Sequence, residues 1–596
     1  MTGSPSPSVA DPAAADPAVG GVRWCLALLD GLLAGGVRDL VLSPGSRSTP
    51  VILAAQQRPG LTLTPILDER SAAFYALGLA RARGRPAALL ATSGSAPAHW
   101  YPAVMEASEF GIPLILLSAD RPPELRGWGA NQTTDQTRLF GTQVREFHDP
   151  GAPLDSPAAR AALTALGRRA AAVSQGRRPG PVHINLPLRE PLVPRGGGAA
   201  DPVAADLPPP QDHAPDRPTI PSIPTIPSAL RERLQGRGLI YCGPDIDRPG
   251  FAAAAQRCAR ALGVPLLADP LSELRFGPVP TDTRQGPSPR ITRYKTLARN
   301  PAAAHALRPD WILRFGRAPI SKTVLEWLPG IPLILVDPAE RWSDPSHDLA
   351  RERSLHLAVD PGALCDALAA DPPGRADAGW LARWVRAEQR LAILAADYLA
   401  QAPWCEAQLI TDLVAALPAG DGLLCANSLP IRQFETWSGT RAAPLRVFGN
   451  RGLSGIDGQL STLAGLNAGG VPTTGLLGDL SFLHDLSGLL LATRLDRPCI
   501  VLNNGGGRIF DYLPQYGLPD FERLWRTPRP VDLGALARTF GLHHQRVSDA
   551  AGWQEALASG LSGRGGQLIE VMIDADRSRE THLAFRQRIA EADLLG

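Results

Sequence analysis

Lysine is almost missing from this 596-residue chain: of 60 lysines and arginines, only Lys295 and Lys322 are lysine. The positive charge is therefore carried by planar guanidinium groups, and each ammonium stands out as a candidate for a particular task. An excess of one sign of charge is also missing. The net charge of +2 excludes a global basic field of the kind that holds nucleic acid or an anionic membrane surface. The seven cysteines, at 25, 242, 258, 365, 405, 425 and 499, contain no C-x-x-C pair. That excludes a zinc or disulfide framework and fits reduced thiols. His99, His148, His183 and His484 show no metal-ligand spacing. No apolar stretch approaches the ~20 residues of a membrane span. Residues 1–20 lack the basic start and apolar centre of a signal peptide and read as a disordered tail. A cytoplasmic chain of several domains is expected, since 596 residues exceed what one hydrophobic core serves.

What is present is a recurring alternation of short apolar runs and amphipathic stretches. LVLS (40–43), LTLTPIL (61–67), AALLAT (87–92), LILLSA (114–119) and VHINLP (182–187) predict buried strands in a first block. GLIYCG (238–243), VPLLAD (264–269), WILRFG (311–316) and PLILVD (332–337) do so in a second. GLLCAN (422–427), TTGLLGD (473–479), CIVLNN (499–504) and LIEVMID (568–574) form a third. Strands spaced by helices predict an α/β chain of three doubly wound, mainly parallel sheets. The boundaries predicted are a domain at 21–195, a Pro-rich linker at 196–228, a central domain at 229–375 and a last domain at 376–596. Three α/β domains would also suit a dinucleotide-binding oxidoreductase. However, no strand-linked G-x-G-x-x-G with an acidic residue about 20 positions on occurs.

The strongest chemical signal lies in residues 478–510. A strand ends at Gly478–Asp479, a helix follows through Leu480 and Ser481, and the next strand ends at Asn503–Asn504 before three glycines. A right-handed crossover brings both strand ends to one edge of the sheet. Asp479, Asn504 and the carbonyl of Gly506 would then offer hard oxygen donors suited to Mg²⁺, with diphosphate oxygens completing the shell. Ser481 and the first helix amides add donors for phosphate. Alone, Gly-Asp before a helix is a capped turn and Asn-Asn-Gly a loop; the spacing on successive strands is what favours a site. VLSPGSRSTP (41–50) is a second anion-binding composition, with Ser46 and Arg47 at a strand-to-helix junction. Asp68-Glu69 opens a helix, where acidic residues in isolation simply answer the helix dipole.

Gly-Asp, this spacer and Asn-Asn together resemble the signature of the thiamine diphosphate enzymes. The resemblance implies thiamine diphosphate with Mg²⁺ or Mn²⁺, and a three-domain chain whose first domain binds the pyrimidine and whose last binds the diphosphate. It makes Glu69 the carboxyl group beside the pyrimidine, and Ile456 the apolar residue that bends the cofactor. It places Gly478, Asp479, Leu480, Ser481, Asn504 and Gly506 at the diphosphate and metal. Leu480 departs from the glycine that many members carry. A homodimer or a dimer of dimers is implied, because first and last domains of these enzymes meet across a subunit boundary.

SPGSRSTP (43–50), DERSAAFYALGLA (68–80), ADRPPELRGWGANQTTDQ (119–136), NSLPIR (427–432), NRGLSGIDG (450–458) and GDLSFLHDL (478–486) narrow the likeness. They resemble the branch that joins 2-oxoglutarate to isochorismate, with loss of CO₂, in menaquinone biosynthesis. Its substrate positions fall on Ser46, Arg47, Arg121, Gln132, Lys322, Ser428, Arg432 and Arg451. Arginine suits planar, bidentate recognition of the substrates' carboxylates. Thr323 stands where a basic residue is expected. The alternatives are another thiamine diphosphate-dependent 2-oxoacid decarboxylase or carboligase, and an inactive chain of the same fold. The latter would be signalled by loss of Glu69 or Asp479, and both are present.

Overall fold

The computed structural model describes residues 16–195, 226–244, 249–278, 288–563 and 565–596. It divides into two compact units, Met1–Arg217 and Pro218–Gly596. Most of the predicted tail and linker lies outside the described residues. Helix Pro17–Ala34 begins inside the predicted tail, capped by the Asp16 carboxylate accepting from Ala18 N. Helix Ser228–Arg233 begins at the predicted end of the linker.

The first unit carries a six-stranded sheet of β1 (Asp39–Leu42), β2 (Thr62–Pro65), β3 (Ala87–Ala91), β4 (Leu114–Asp120), β5 (Phe147–His148) and β6 (Pro181–Pro187). Its order is β2-β1-β3-β4-β6-β5, with every pairing parallel. The runs predicted as buried strands fall on β1, β2, β3, β4 and β6. β1, β3, β4 and β6 are buried along their whole length, as strands covered on both faces must be. Helix Pro17–Ala34, at 18 residues and mean hydropathy 1.3, is long and apolar enough to cross a membrane. Here it is a core element packed on helix Pro157–Ser174. A Cβ at Gly31 would stand 2.1 Å from the Thr164 carbonyl oxygen, and one at Gly167 2.4 Å from that of Leu28. The two glycines thus let the helix backbones touch.

In the second unit, β7 (Gly238–Cys242), β8 (Leu266–Ala268), β9 (Arg290–Ile291), β10 (Trp311–Phe315), β11 (Leu333–Val336) and β12 (Leu355–Leu357) form a central sheet. β13 (Gly422–Cys425), β14 (Arg446–Phe448), β15 (Thr473–Gly478), β16 (Cys499–Asn503), β17 (His543–Val547) and β18 (Gln567–Met572) form the last. The orders are β12-β11-β10-β7-β8-β9 and β14-β13-β15-β16-β18-β17, again all parallel. The predicted class therefore holds: three doubly wound sheets, without an antiparallel strand among the described residues.

Both sheets of this unit share one continuous hydrophobic core. Helix Ala378–Gln401, which follows the boundary predicted at 375/376, packs on the central sheet. Trp380 Nε1 donates to Gly238 O at 2.8 Å, and the Glu388 carboxylate accepts from Thr292 N at 3.2 Å and Arg293 N at 3.0 Å. A sequence cut at 376 thus separates a helix from the sheet it covers.

The last sheet repeats the order of the first strand for strand, whereas the central sheet does not. In the shared order the connection reverses direction between the first and third strands. Such a switch point opens a crevice at the carboxyl ends of those strands. The loops after β1 and β3 flank it in the first unit, and those after β13 and β15 in the second.

Candidate active site

In the first unit the loop after β1 holds Ser46, which is exposed, and Arg47, which is 5% exposed. Arg47 donates through Nη1 to Leu188 O at 2.9 Å and through Nη2 to the Glu190 carboxylate at 2.9 Å. Its Nε is buried without a partner among the described residues. After β3, Ser93 is fully buried and gathers two further candidates. Arg121 Nη1 donates to Ser93 Oγ at 2.9 Å, and Ser93 Oγ donates to Gln132 O at 3.0 Å. Gln132 Nε2 returns a hydrogen bond to Ser93 O at 3.0 Å. Gln132 sits at φ +53, a strained conformation of the kind that concentrates at binding loops. Burial lowers the pKa of Arg121, and the nearby Arg47 charge lowers it further. A bound carboxylate would relieve both effects.

Glu69 is the first residue of helix Glu69–Arg83, after β2. Asp68 takes the capping role there, accepting from Arg70 N at 2.8 Å. The Glu69 carboxylate is half-buried and makes no hydrogen bond among the described residues, so the helix does not need it as a cap.

In the second unit Gly478 ends β15 and Asp479 opens helix Asp479–Leu483, with Leu480 and the buried Ser481 in its first turn. The Asp479 carboxylate accepts from Leu480 N at 2.8 Å and, across the strand ends, from Gly506 N at 2.7 Å. The predicted meeting of the two loops is thus observed. Burial raises the Asp479 pKa, against the lowering effect of these backbone donors. Asn504, 9% exposed, stands beside the Glu406 carboxylate, where its side chain favours the ionised form against the effect of burial. Glu406 is buried and accepts from Ser578 Oγ. Gly506 has φ +116, and a Cβ there would lie 2.3 Å from Arg526 O, so only glycine fits. A carboxylate, an amide oxygen and a carbonyl beside a helix start fit Mg²⁺ or Mn²⁺ and a diphosphate.

The loop after β13 supplies the rest. Asn427, fully buried, donates through Nδ2 to Asn450 O at 2.6 Å and Gly455 O at 2.7 Å. Its Oδ1 accepts from Arg451 Nη1 at 2.9 Å. One amide thereby ties Arg451 and the half-buried Ile456 loop to Ser428, at the start of helix Leu429–Trp437. Ser428 has φ +70, another strained loop residue. Arg432 is exposed and donates to Ser428 O at 2.6 Å.

Lys322 is not brought into this group by any hydrogen bond among the described residues. Its side chain is 88% exposed and pairs with Glu326, one turn on, at 3.3 Å. Thr323, where a basic residue is predicted, receives Arg299 Nη2 on its Oγ1 at 3.2 Å, so a guanidinium stands beside that position after all. Sequence reasoning missed Ser93, Glu406 and Asn427. Ser93 and Asn427 immediately follow predicted strands, which was the available signal. Glu406 carried none.

Residues 26–139 match the family described as "Thiamine pyrophosphate enzyme, N-terminal TPP binding domain", the class to which the fold and the strand-end loops point. Across the whole chain it is similar to proteins named 2-succinyl-5-enolpyruvyl-6-hydroxy-3-cyclohexene-1-carboxylate synthase. It is 42% identical to that of Chloroflexus aurantiacus, over 96% of each chain. It is 39% identical to that of Geobacillus kaustophilus, over 95% of this chain and 97% of the relative. For Haloarcula marismortui the identity is 38%, over 95% and 98%. The chain belongs to this synthase family within the thiamine diphosphate enzymes.

Proposed function

We propose that the chain is a thiamine diphosphate-dependent carboligase of menaquinone biosynthesis. It would convert 2-oxoglutarate and isochorismate into 2-succinyl-5-enolpyruvyl-6-hydroxy-3-cyclohexene-1-carboxylate and CO₂. The observation that carries the proposal is the Asp479–Gly506 hydrogen bond at 2.7 Å. It joins the two strand ends into one set of hard oxygen donors, in a chain whose relatives match it end to end.

When bound, thiamine diphosphate supplies the nucleophilic carbon that releases CO₂ from the oxoacid and passes the remaining four carbons to the acceptor. Asp479, the Asn504 amide oxygen and the Gly506 carbonyl hold the divalent metal. Gly478, Leu480 and Ser481 face the diphosphate from the helix start. Glu69, whose carboxylate no helix amide claims, holds a proton at the pyrimidine ring. Ile456 offers the apolar surface against which the cofactor bends. Ser46, Arg47, Arg121 and Gln132 offer donors to substrate carboxylates, and so do Ser428, Arg432 and Arg451. Arg47 shares its donors between substrate and the Leu188–Glu190 segment, and Lys322 joins once its pair with Glu326 opens. The working assembly is a homodimer or a dimer of dimers in the cytoplasm. Leu67, 71% exposed and two residues before Glu69, is apolar surface that a second copy would cover.

The test supplies purified protein with thiamine diphosphate, Mg²⁺ and 2-oxoglutarate, with and without isochorismate. CO₂ release coupled to isochorismate consumption is expected. Equal turnover on pyruvate, without any need for isochorismate, would overturn the reading.

A further inference from the structure

We propose that a cleft in the second unit, on helix Leu429–Trp437 and helix Ala575–Glu591, is a binding site for a compact oxyanion carrying two negative charges. Lys295, Arg299 and Arg586 line it together with Thr436, Trp437 and His582, around a cavity of about 30 Å³. Three cations and no carboxylate line this cleft.

The three cations are not equally satisfied. Lys295 Nζ donates to Arg432 O at 2.9 Å and Thr436 Oγ1 at 3.0 Å, and lies 3.1 Å from the Glu435 carboxylate. Its charge and its donors are answered. Arg299 makes one hydrogen bond, to Thr323 Oγ1, and Arg586 rests over the Tyr512 ring at 5.2 Å. Neither forms a salt bridge among the described residues. A guanidinium carries five N–H donors, so most of theirs are unmet by the chain. Burial and the Arg586 charge push Arg299 down to about 10, an electrostatic stress that a bound anion would remove. His582 forms the inner wall, 4% exposed, and its Nε2 has no hydrogen-bond partner among the described residues. Glu406 lies 3.9 Å from that nitrogen, beyond hydrogen-bond reach. Two forked donors with unmet N–H groups and an unpartnered imidazole against an indole wall suit phosphate or dicarboxylate recognition.

The cleft is also wired to the candidate active site. Its Lys295 holds the carbonyl of Arg432 and the side chains of the next turn, on the helix that starts at Ser428. An anion beside Arg299 would compete with Glu435 for the Lys295 charge and so load that helix, which makes the cleft a regulatory position. The binding itself does not depend on the catalytic assignment.

The test is calorimetric titration of the protein loaded with thiamine diphosphate and Mg²⁺, with inorganic phosphate and separately with succinate, at ionic strength fixed with chloride. One saturable site per chain is expected for at least one of them, and which one it is identifies the oxyanion type. Affinity should fall at least tenfold in Arg299→Gln and in Arg586→Gln. It should be kept in Arg257→Gln, an exposed control, and fall less than threefold in Arg586→Lys, which retains the charge. Circular dichroism checks that each variant is folded. Absence of saturable binding for both anions, or unchanged affinity in folded Arg299→Gln and Arg586→Gln, would overturn the proposal.

Discussion

The first and last sheets have the same strand order, yet their switch points carry opposite chemistry. Around β1 and β3 the loops present guanidinium groups and an amide gathered on Ser93. Around β15, which borders the switch point of the last sheet, and its neighbour β16 they present a carboxylate, an amide and a glycine carbonyl. One sheet offers hydrogen-bond donors, as the proposed substrate anions need, and the other offers oxygen acceptors, as the proposed cation needs. The lesson is that topology decides where a crevice opens, while side chains at the strand ends decide what enters it. The central sheet sharpens the point. Its different order comes without a glycine-rich dinucleotide fingerprint, and Lys295 and Arg299, which follow β9, line a cleft together with Arg586.

Variants on either side should separate the two roles. Glu69→Gln is expected to lower turnover about a thousandfold, within the range for a lost proton-transfer group. Thermal stabilisation by thiamine diphosphate and Mg²⁺ should remain; near-normal turnover would remove Glu69 from the chemistry. Asp479→Asn should do the reverse and abolish that stabilisation, a loss of about 2.7 kcal/mol at ligand a hundredfold above its Kd. A full thermal shift in this variant would break the division between the sheets. Arg121→Lys should raise KM for a carboxylate substrate about ten- to a hundredfold, the value of one charged hydrogen bond. An unchanged KM would make Arg121 a tie for the Ser93 loop only.

The smallest effect concerns what the two units share. His183 in the first and His582 in the second are each pushed down to about 3, chiefly by burial. Both are neutral when folded, while an unfolded histidine titrates near 6.5. Their stabilisation is therefore complete above that pH and is lost as pH falls toward the folded value. The expected slope is about 1.4 kcal/mol per pH unit for each histidine. Urea denaturation from pH 7 to pH 5 measures it, and His183→Gln should reduce the slope for the first unit. An identical slope in that variant would count against a buried neutral His183.

Legibility in the sequence followed burial. β3, β4, β6, β7, β10, β11, β13, β15, β16 and β18 are apolar runs because both faces are covered. β5, β9, β12, β14 and β17 were missed, and every one is a sheet edge. Phe147–His148 and Leu355–Leu357 are only half-buried, and His543–Val547 is largely polar, so no continuous apolar run marks them. Among the site residues, Asp479 and Asn504 were legible because a helix and a strand of fixed length separate them. Asn427 was not, because its partners at Asn450, Arg451 and Gly455 lie 23 or more positions away. Lys322 was singled out by the resemblance and by its rarity, neither of which says where its side chain points.

The sequence by itself determined the parallel sheets and the pairing of Asp479 with the Asn504 loop. Local apolar periodicity and a short right-handed crossover leave little alternative. Only the tertiary structure decided that Ser93 and Asn427 gather the arginines, that Glu406 stands beside Asn504, and that helix Ala378–Gln401 belongs on the central sheet. It alone revealed that Arg299 and Arg586 share a cleft without a carboxylate. Those outcomes depend on hydrogen bonds and charges between residues far apart in the chain. Such contacts exist only once the core has brought the strand ends and helices together.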